Sequence, residues 1–307
     1  MGKMKVIIVG LPLFASRLAD AFQKFDKKNV YTSLNTYYKK LDKIKAFFKI
    51  PQSDIVFSIN GSIQSSRVFD RALKKNVPII MNWVGTDVLK SIEAFKSGNY
   101  QKEYISKAIH YCEVNWIKEE LKEIGINADI VNFAVFDKKF DIQIPSNKHF
   151  TVLTYIPEIR SEFYGMLTIL KLAEQLPSIQ FVIAGTTANE FQPLPSNVLA
   201  LGWVSNMDEV FNKTHVCIRY PEHDGLSTFI LEGLARGKEV IYNYPFDHCK
   251  YAKYENDAYA QLNAMESDFK DGNWKSNNDG ALFIQEYFNE KVIIGGLIDR
   301  FKGISGK

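Results

Sequence analysis

The sequence predicts an α/β protein built from two doubly wound parallel domains in succession. Three observations predict it. Short, uninterrupted runs rich in Val and Ile alternate with stretches of helical period. A polar, charged segment at 136–149, containing Pro145, breaks that alternation once, and the alternation then restarts. The 307 residues suffice for two cores of ordinary size.

In the first half, KVIIV (5–9), DIVFSI (54–59), PIIMNW (78–83), HYCEV (110–114) and ADIVNF (128–133) read as buried strands, because none carries the polar alternation of a half-exposed sheet. Between them lie SIQSSRVFDRALKKN and NWIKEELKEIG, amphipathic and helical; the second ends at Gly125, where a helix C-cap belongs. In the second half HFTVLTY (149–155), IQFVIAG (179–185), THVCIRY (214–220) and EVIYN (239–243) are strands. GMLTILKLAEQL (165–176) and LSTFILEGLAR (226–236) are helices. A last helical stretch, ALFIQEYFNEKVIIGGLIDRF, closes the chain, and the polar region 255–280 receives no element. Strand–helix alternation implies right-handed crossovers and parallel sheets. Ligands of such sheets bind outside the carboxyl ends of the strands, so two domains facing each other predict a cleft site for a large, two-part polar substrate.

A net charge of +3, with 46% hydrophobic and 24% charged residues, describes a soluble globular chain and gives no support to nucleic acid as a partner. Cys112, Cys217 and Cys249 are widely spaced, without a CxxC pair or metal spacing to the five histidines, which fits free thiols in a reducing cytoplasm. The opening MGKMKVIIVGLPLF resembles a signal sequence only superficially, since it runs into the charged SRLADAFQKF. No stretch approaches the ~20 apolar residues of a membrane span.

The most informative segment is IRYPEHDGLSTFILEGLARGKEVIYNYP, 218–245. A strand ends at Tyr220, a tight acidic loop follows, and a helix runs from near Leu226 to Gly237. Gly225 lets a ligand approach the backbone, and the helix start offers free N–H donors and positive dipole to an anion. On a helical wheel Leu226, Phe229, Ile230 and Leu234 share one face while Thr228 and Glu232 point away. The simplest role for Glu232 is a solvated pair with Arg236 at i+4.

This segment resembles the signature of retaining GT-B glycosyltransferases of the large family 4, or group 1, type: an acidic residue, seven intervening residues and a Glu, then a small-residue helix end and a V-I strand. Asp224 and Glu232 have that spacing. LALGWVSNMDEVFNKTHVCIRYP (199–221), NWVGTDV (82–88) and NWIKEELKEIGINADIVNFAVF are similar to further family stretches, and about three quarters of the chain aligns by eye. The resemblance implies a GT-B fold with an acceptor-binding domain (1–145), a nucleotide-sugar-binding domain (146–280) and a C-terminal helix (281–307) crossing back to the first. It implies transfer of a hexose-type sugar, with retention, from a nucleotide-sugar donor to a glycan or lipid-linked acceptor. Glu232 would hold the ribose hydroxyls, while Asp224, Gly225, Leu226 and Ser227 would face sugar and phosphates. Gly10, where the first strand meets its helix, would lie near the donor phosphates. Thr86 and Asp87 would face sugar or acceptor, the alternative being a cap on the helix VLKSIEAF. The implied chemistry needs no cofactor and no metal; the leaving pyrophosphate is held by protein groups, and there is no D-x-D motif.

Three departures stand out. The family uses Glu where this chain has Asp224. It carries Arg and Lys after the first strand of the second domain, where LTYIPEIRSEFYG places Tyr155 and Tyr164, which leaves Arg160 as the phosphate ligand. Val84 stands where His is usual. LNTYYKKLDKIKAFFKI (34–50) reads as a basic amphipathic helix with aromatics, suited either to peripheral contact with a membrane or to an ordinary domain surface with its lysines in water. Three rival functions remain: a catalytically weak or inactive GT-B partner in a glycan-assembly complex, an epimerase using Glu222 and His223, and a two-domain solute-binding protein.

Overall fold

The computed structural model describes residues 2–134, 140–142, 144–145 and 147–306. Residues 136–139, 143 and 146 of the expected linker lie outside the described residues. The chain divides into two compact units. The first holds the described residues of 2–134 together with 224–226 and 288–306; the second holds those of 140–223 and 227–287.

In the first unit β1 (Lys5–Gly10), β2 (Val30–Ser33), β3 (Ile55–Ile59), β4 (Ile79–Trp83), β5 (Ile109–Cys112) and β6 (Asp129–Ile130) form one parallel sheet in the order β2-β1-β3-β4-β5-β6. β3 and β4 are buried along their whole length, as continuous apolar runs between helix layers must be. α1 (Pro12–Phe25), α2 (Lys40–Lys49), α3 (Arg67–Lys74), α4 (Thr86–Lys96), α5 (Lys102–Lys107) and α6 (Asn115–Lys122) connect the strands. The second unit repeats the scheme with β7 (Thr151–Tyr155), β8 (Gln180–Ala184), β9 (Val198–Gly202), β10 (Val216–Arg219), β11 (Glu239–Tyr242) and β12 (Lys250–Tyr251), ordered β12-β11-β10-β7-β8-β9 and all parallel. α7 (Met166–Gln175), α8 (Met207–Phe211), α9 (Thr228–Ala235), α10 (Glu255–Lys270) and α11 (Asn278–Tyr287) belong here, and α12 (Glu290–Ser305) belongs to the first unit. The prediction of two doubly wound parallel domains is met.

Each sheet reverses direction once. After β2 the chain returns to the far side of β1 to add β3; after β9 it returns to the far side of β7 to add β10. The carboxyl ends of β1 and β3, and of β7 and β10, are therefore the switch points where crevices open.

Several elements differ from the sequence reading for identifiable reasons. The strand expected at 128–133 shrinks to Asp129–Ile130, because the amides of Phe133 and Ala134 donate instead to the Glu113 carboxylate at 3.0 and 3.1 Å. The helix expected from residue 34 begins at Lys40, because Leu34 still extends the sheet, its amide donating to the Ile8 carbonyl, and Asn35 turns the chain by accepting from the Tyr38 amide. The closing helix is two helices, divided at Asn289, whose side chain caps α12 by accepting from the Val292 amide. α10 fills the region left without an element, burying Ala258, Leu262 and Met265.

α12 completes the first core. Its buried face, Ile294, Leu297, Ile298 and Phe301, lies against α1, and the Phe301 ring sits 5.4 Å from Phe22 and 5.3 Å from Phe57. Burying one such side chain stabilises by about 2–3 kcal/mol.

Candidate functional site

At the switch point of the first sheet, Gly10 ends β1 with φ +100°, and a Cβ there would stand 2.2 Å from the Ile59 carbonyl at the end of β3. Only a glycine lets the two strand ends close together at this point. A cavity of 270 Å³ opens there, lined among others by Gly10, Tyr37, Ser58, Asn60 and Ser62. Asn60, unremarked in the sequence, is held at φ +134°, its carbonyl accepting from the Ser58 hydroxyl at 2.7 Å. A non-glycine residue fixed in that region is strained, and such strain gathers at ligand sites.

The loop from β4 to α4 is organised by Asp87. Its buried carboxylate accepts from the amides of Gly61 (2.7 Å), Gly85 (2.8 Å), Val84 and Val88. Burial nonetheless raises its pKa, against the pull of the Gly61, Val84 and Gly85 amides. Thr86 opens α4 and is half-buried. Behind the loop the Trp83 indole donates to Nδ1 of His110 at 3.1 Å, while Nε2 of that ring faces the Tyr104 and Ile105 carbonyls.

Asp224, Gly225 and Leu226 group with this unit. The Trp116 indole donates to the Asp224 carbonyl at 2.8 Å. A Cβ on Gly225 would stand 2.1 Å from the Val84 carbonyl, and one on Gly85 3.0 Å from the Gly225 amide nitrogen. The space a side chain on Gly225 would need is thus taken by protein backbone.

In the second unit, α9 follows β10, which borders the switch point. Ser227 is its N-cap, and its side chain makes no capping bond. Phe229, Ile230, Leu231 and Leu234 are buried; Thr228 is exposed and Glu232 half-exposed, as the helical wheel requires. The i+4 pair with Arg236 forms loosely, at 3.7 Å to one carboxylate oxygen of Glu232. Arg236 is itself buried, its guanidinium 3.9 Å from the Phe140 ring centroid and 4.3 Å from that of Phe211, paired with Asp208 and donating to the Glu232 carbonyl.

Arg160 lies exposed in the loop after β7 at φ +64°, its guanidinium stacked 3.9 Å over the Phe163 ring. A second arginine, overlooked in the sequence, is closer to the switch point. Arg219 ends β10, is 6% exposed, donates to the Tyr155 carbonyl at the end of β7 at 3.1 Å, and stands 5.0 Å from the Tyr164 ring. It sits between the two tyrosines that replace the expected basic residues. The signal was there to read: an arginine closing the otherwise apolar run HVCIRY. Glu222 is exposed and His223 buried.

Among the described residues no three His, Cys, Asp or Glu side chains gather as a metal site, and no helix is long and apolar enough to cross a membrane. Cys112 and Cys217 are buried free thiols, and burial pushes both up to about 12.

No protein-family model matches the chain, and no curated protein matches it. Among solved structures it is similar to a glycosyltransferase from Rickettsia africae, at 12% identity over 99% of both chains with a TM-score of 0.69. It is similar to HepE from Anabaena, solved in complex with UDP-glucose, at 11% identity over 98% of this chain and 100% of that one, with a TM-score of 0.72. It is also similar to sucrose-phosphate synthase from Thermosynechococcus elongatus, at 11% identity over 99% of this chain and 100% of the other, with a TM-score of 0.69. At these identities the likeness is one of fold, and the fold is GT-B.

Proposed function

We propose that the protein is a glycosyltransferase that moves a hexose-type sugar from a nucleotide-sugar donor to a glycan or lipid-linked acceptor, with retention of configuration. The observation that carries the reading is the switch point of the second sheet, where Arg219 closes β10 and α9 follows with Glu232 on its open side. A donor needs a cation for its pyrophosphate and a carboxylate for its ribose, and these residues supply both. The structural neighbours solved with UDP-glucose or UDP add a nucleotide-sugar as the ligand class.

In this reading the Glu232 carboxylate accepts from both ribose hydroxyls. Arg219 and Arg160, with the free amides at the start of α9 beside Ser227, neutralise the leaving pyrophosphate. The acceptor oxygen bonds to the anomeric carbon on the face the phosphate leaves; the carbon–oxygen bond to phosphate breaks, and the acceptor proton passes to the departing phosphate oxygen. Gly10 lies near the donor phosphates, Asn60 and Thr86 face the acceptor or the sugar, and Asp87 is a positioning residue that holds the β4–α4 loop. Asp224, Gly225 and Leu226 present backbone to the donor sugar. No metal is assigned a step.

Calorimetry of the full chain against UDP-, GDP- and ADP-sugars tests this. One nucleotide class should bind, and Glu232→Ala should weaken it about ten- to hundredfold, the worth of a charged hydrogen bond. A well-folded protein that binds none of them is not a glycosyltransferase.

A further inference from the structure

The first unit holds a larger cavity that the donor reading does not use. α2 and the start of α3 enclose 650 Å³, lined by Lys43, Ile44, Phe47, Ser65, Ser66 and Arg67 among others. It shares Thr36, Lys43, Ser66 and Val68 with the smaller cavity at Gly10, so the two adjoin.

Its lining divides into a cationic and an apolar side. Among the described residues, neither Lys43 nor Arg67 forms an ion pair. The nearby acids are turned to other groups: Asp42 pairs with Lys45 at 3.4 Å and accepts from the Asn35 amide, while Asp70 accepts from the Tyr104 hydroxyl at 2.5 Å and from Ser65 at 3.3 Å. The hydroxyl of Ser66, N-cap of α3, makes no capping bond. Two cations and a hydroxyl around one space suit a phosphate.

The apolar side is α2, which buries only Ala46. Ile44, 55% exposed, faces the cavity, and Leu41 (70%) and Phe48 (65%) lie on its side of the helix at i−3 and i+4. Phe47 is fixed in place by Arg71, whose guanidinium lies 4.1 Å over its ring and donates to its carbonyl. Apolar surface left open beside lysines 39, 40, 45 and 49 calls for a ligand that is apolar and anionic at once.

We propose that this cavity binds a single phosphate-bearing amphiphile, its phosphate on Lys43 and Arg67 and its hydrocarbon chain along Ile44 and Phe47 and out over Leu41 and Phe48. That this molecule is the acceptor rests on the transferase reading; that the cavity binds it does not.

Calorimetry on the full chain, without donor, uses monododecyl phosphate below its micellar concentration, with dodecyl maltoside, inorganic phosphate and phosphatidylglycerol vesicles as comparisons. Dodecyl phosphate should bind at least tenfold more tightly than the maltoside or inorganic phosphate. The double variant Lys43→Ala/Arg67→Ala should lose tenfold or more, and so should Ile44→Ser/Phe47→Ser, with the circular dichroism of both unchanged. Lys40→Ala/Lys49→Ala, which alters only flanking charge, should bind as the wild type does. Equal binding of the neutral detergent, equal binding of inorganic phosphate, equal loss in the flanking variant, or binding to vesicles but not to the monomer would each overturn the proposal. UDP-sugar binding, measured separately, should survive all three variants, so the failure of either reading is seen independently of the other.

Discussion

The Trp116 indole N–H and the Asp224 carbonyl meet at 2.8 Å across 108 residues of sequence. With Gly225 pressed on Val84, this bond fixes the segment on which the first acid of the proposed donor site stands. Trp116→Phe should lower stability by about 1 kcal/mol, the net worth of a neutral hydrogen bond. Gly225→Ala places a methyl 2.1 Å from a carbonyl oxygen, and sugar transfer should fall more than tenfold, well beyond the loss in Trp116→Phe. Equal activity in Gly225→Ala and wild type, measured as sugar transfer or donor hydrolysis, would remove 224–226 from the site.

Arg219 should act on the phosphates and not on the base or ribose. Arg219→Ala is expected to weaken UDP or its counterpart about ten- to hundredfold while leaving the matching nucleoside unchanged. Arg219→Lys should recover part of the loss, since it keeps the charge without the planar fork. A loss of the same size for nucleoside and diphosphate would assign Arg219 to structure alone.

Arg236 is a stability residue. Its guanidinium is enclosed by Phe140 and Phe211 and paired with Asp208. Arg236→Ala removes both aromatic contacts and the ion pair with Asp208, a loss of about 2–4 kcal/mol by urea denaturation, most of it from the two enclosed guanidinium–ring contacts. Lysine should not restore it, because an ammonium does not stack as a guanidinium does.

Glu113 gives stability a pH dependence. Burial raises its carboxyl from 4.5 to about 7, even though it accepts from two backbone amides. A raised folded value means that its contribution is fully present below 4.5 and is lost as pH climbs through about 7. The loss is on the order of 3 kcal/mol. Glu113→Gln keeps an acceptor for both amides and should flatten unfolding free energy between those pH values. A wild-type curve already flat there would contradict the assignment.

What the sequence revealed follows what each residue's signal depends on. β3 and β4 are buried on both faces, so apolar runs announced them; β2, an edge strand reading VYTS, and β9, whose burial alternates, carried no such run. α10 went unread because its buried positions are few and its sequence is largely polar. The place of Glu232 on the open side of α9 was legible from helical phase. The Gly61 amide on Asp87, the bond from Trp116 and the placement of Arg219 between Tyr155 and Tyr164 were not, since each depends on which distant segments become neighbours in space. The exposed face of α2 was foreseen as apolar and basic, but its cavity appears only once α3 is set beside it.

The packing of α12 on α1 and β3 has a kinetic meaning. Phe301 is translated after the whole of the second unit, and its ring partners Phe22 and Phe57 before it. The sheet whose strands are translated first is therefore the one that waits longer for its final layer, with the apolar flank of α1 uncovered until α12 emerges. A nascent chain stalled before residue 290 should carry a complete second sheet and an unfinished first one, a natural client for a chaperone.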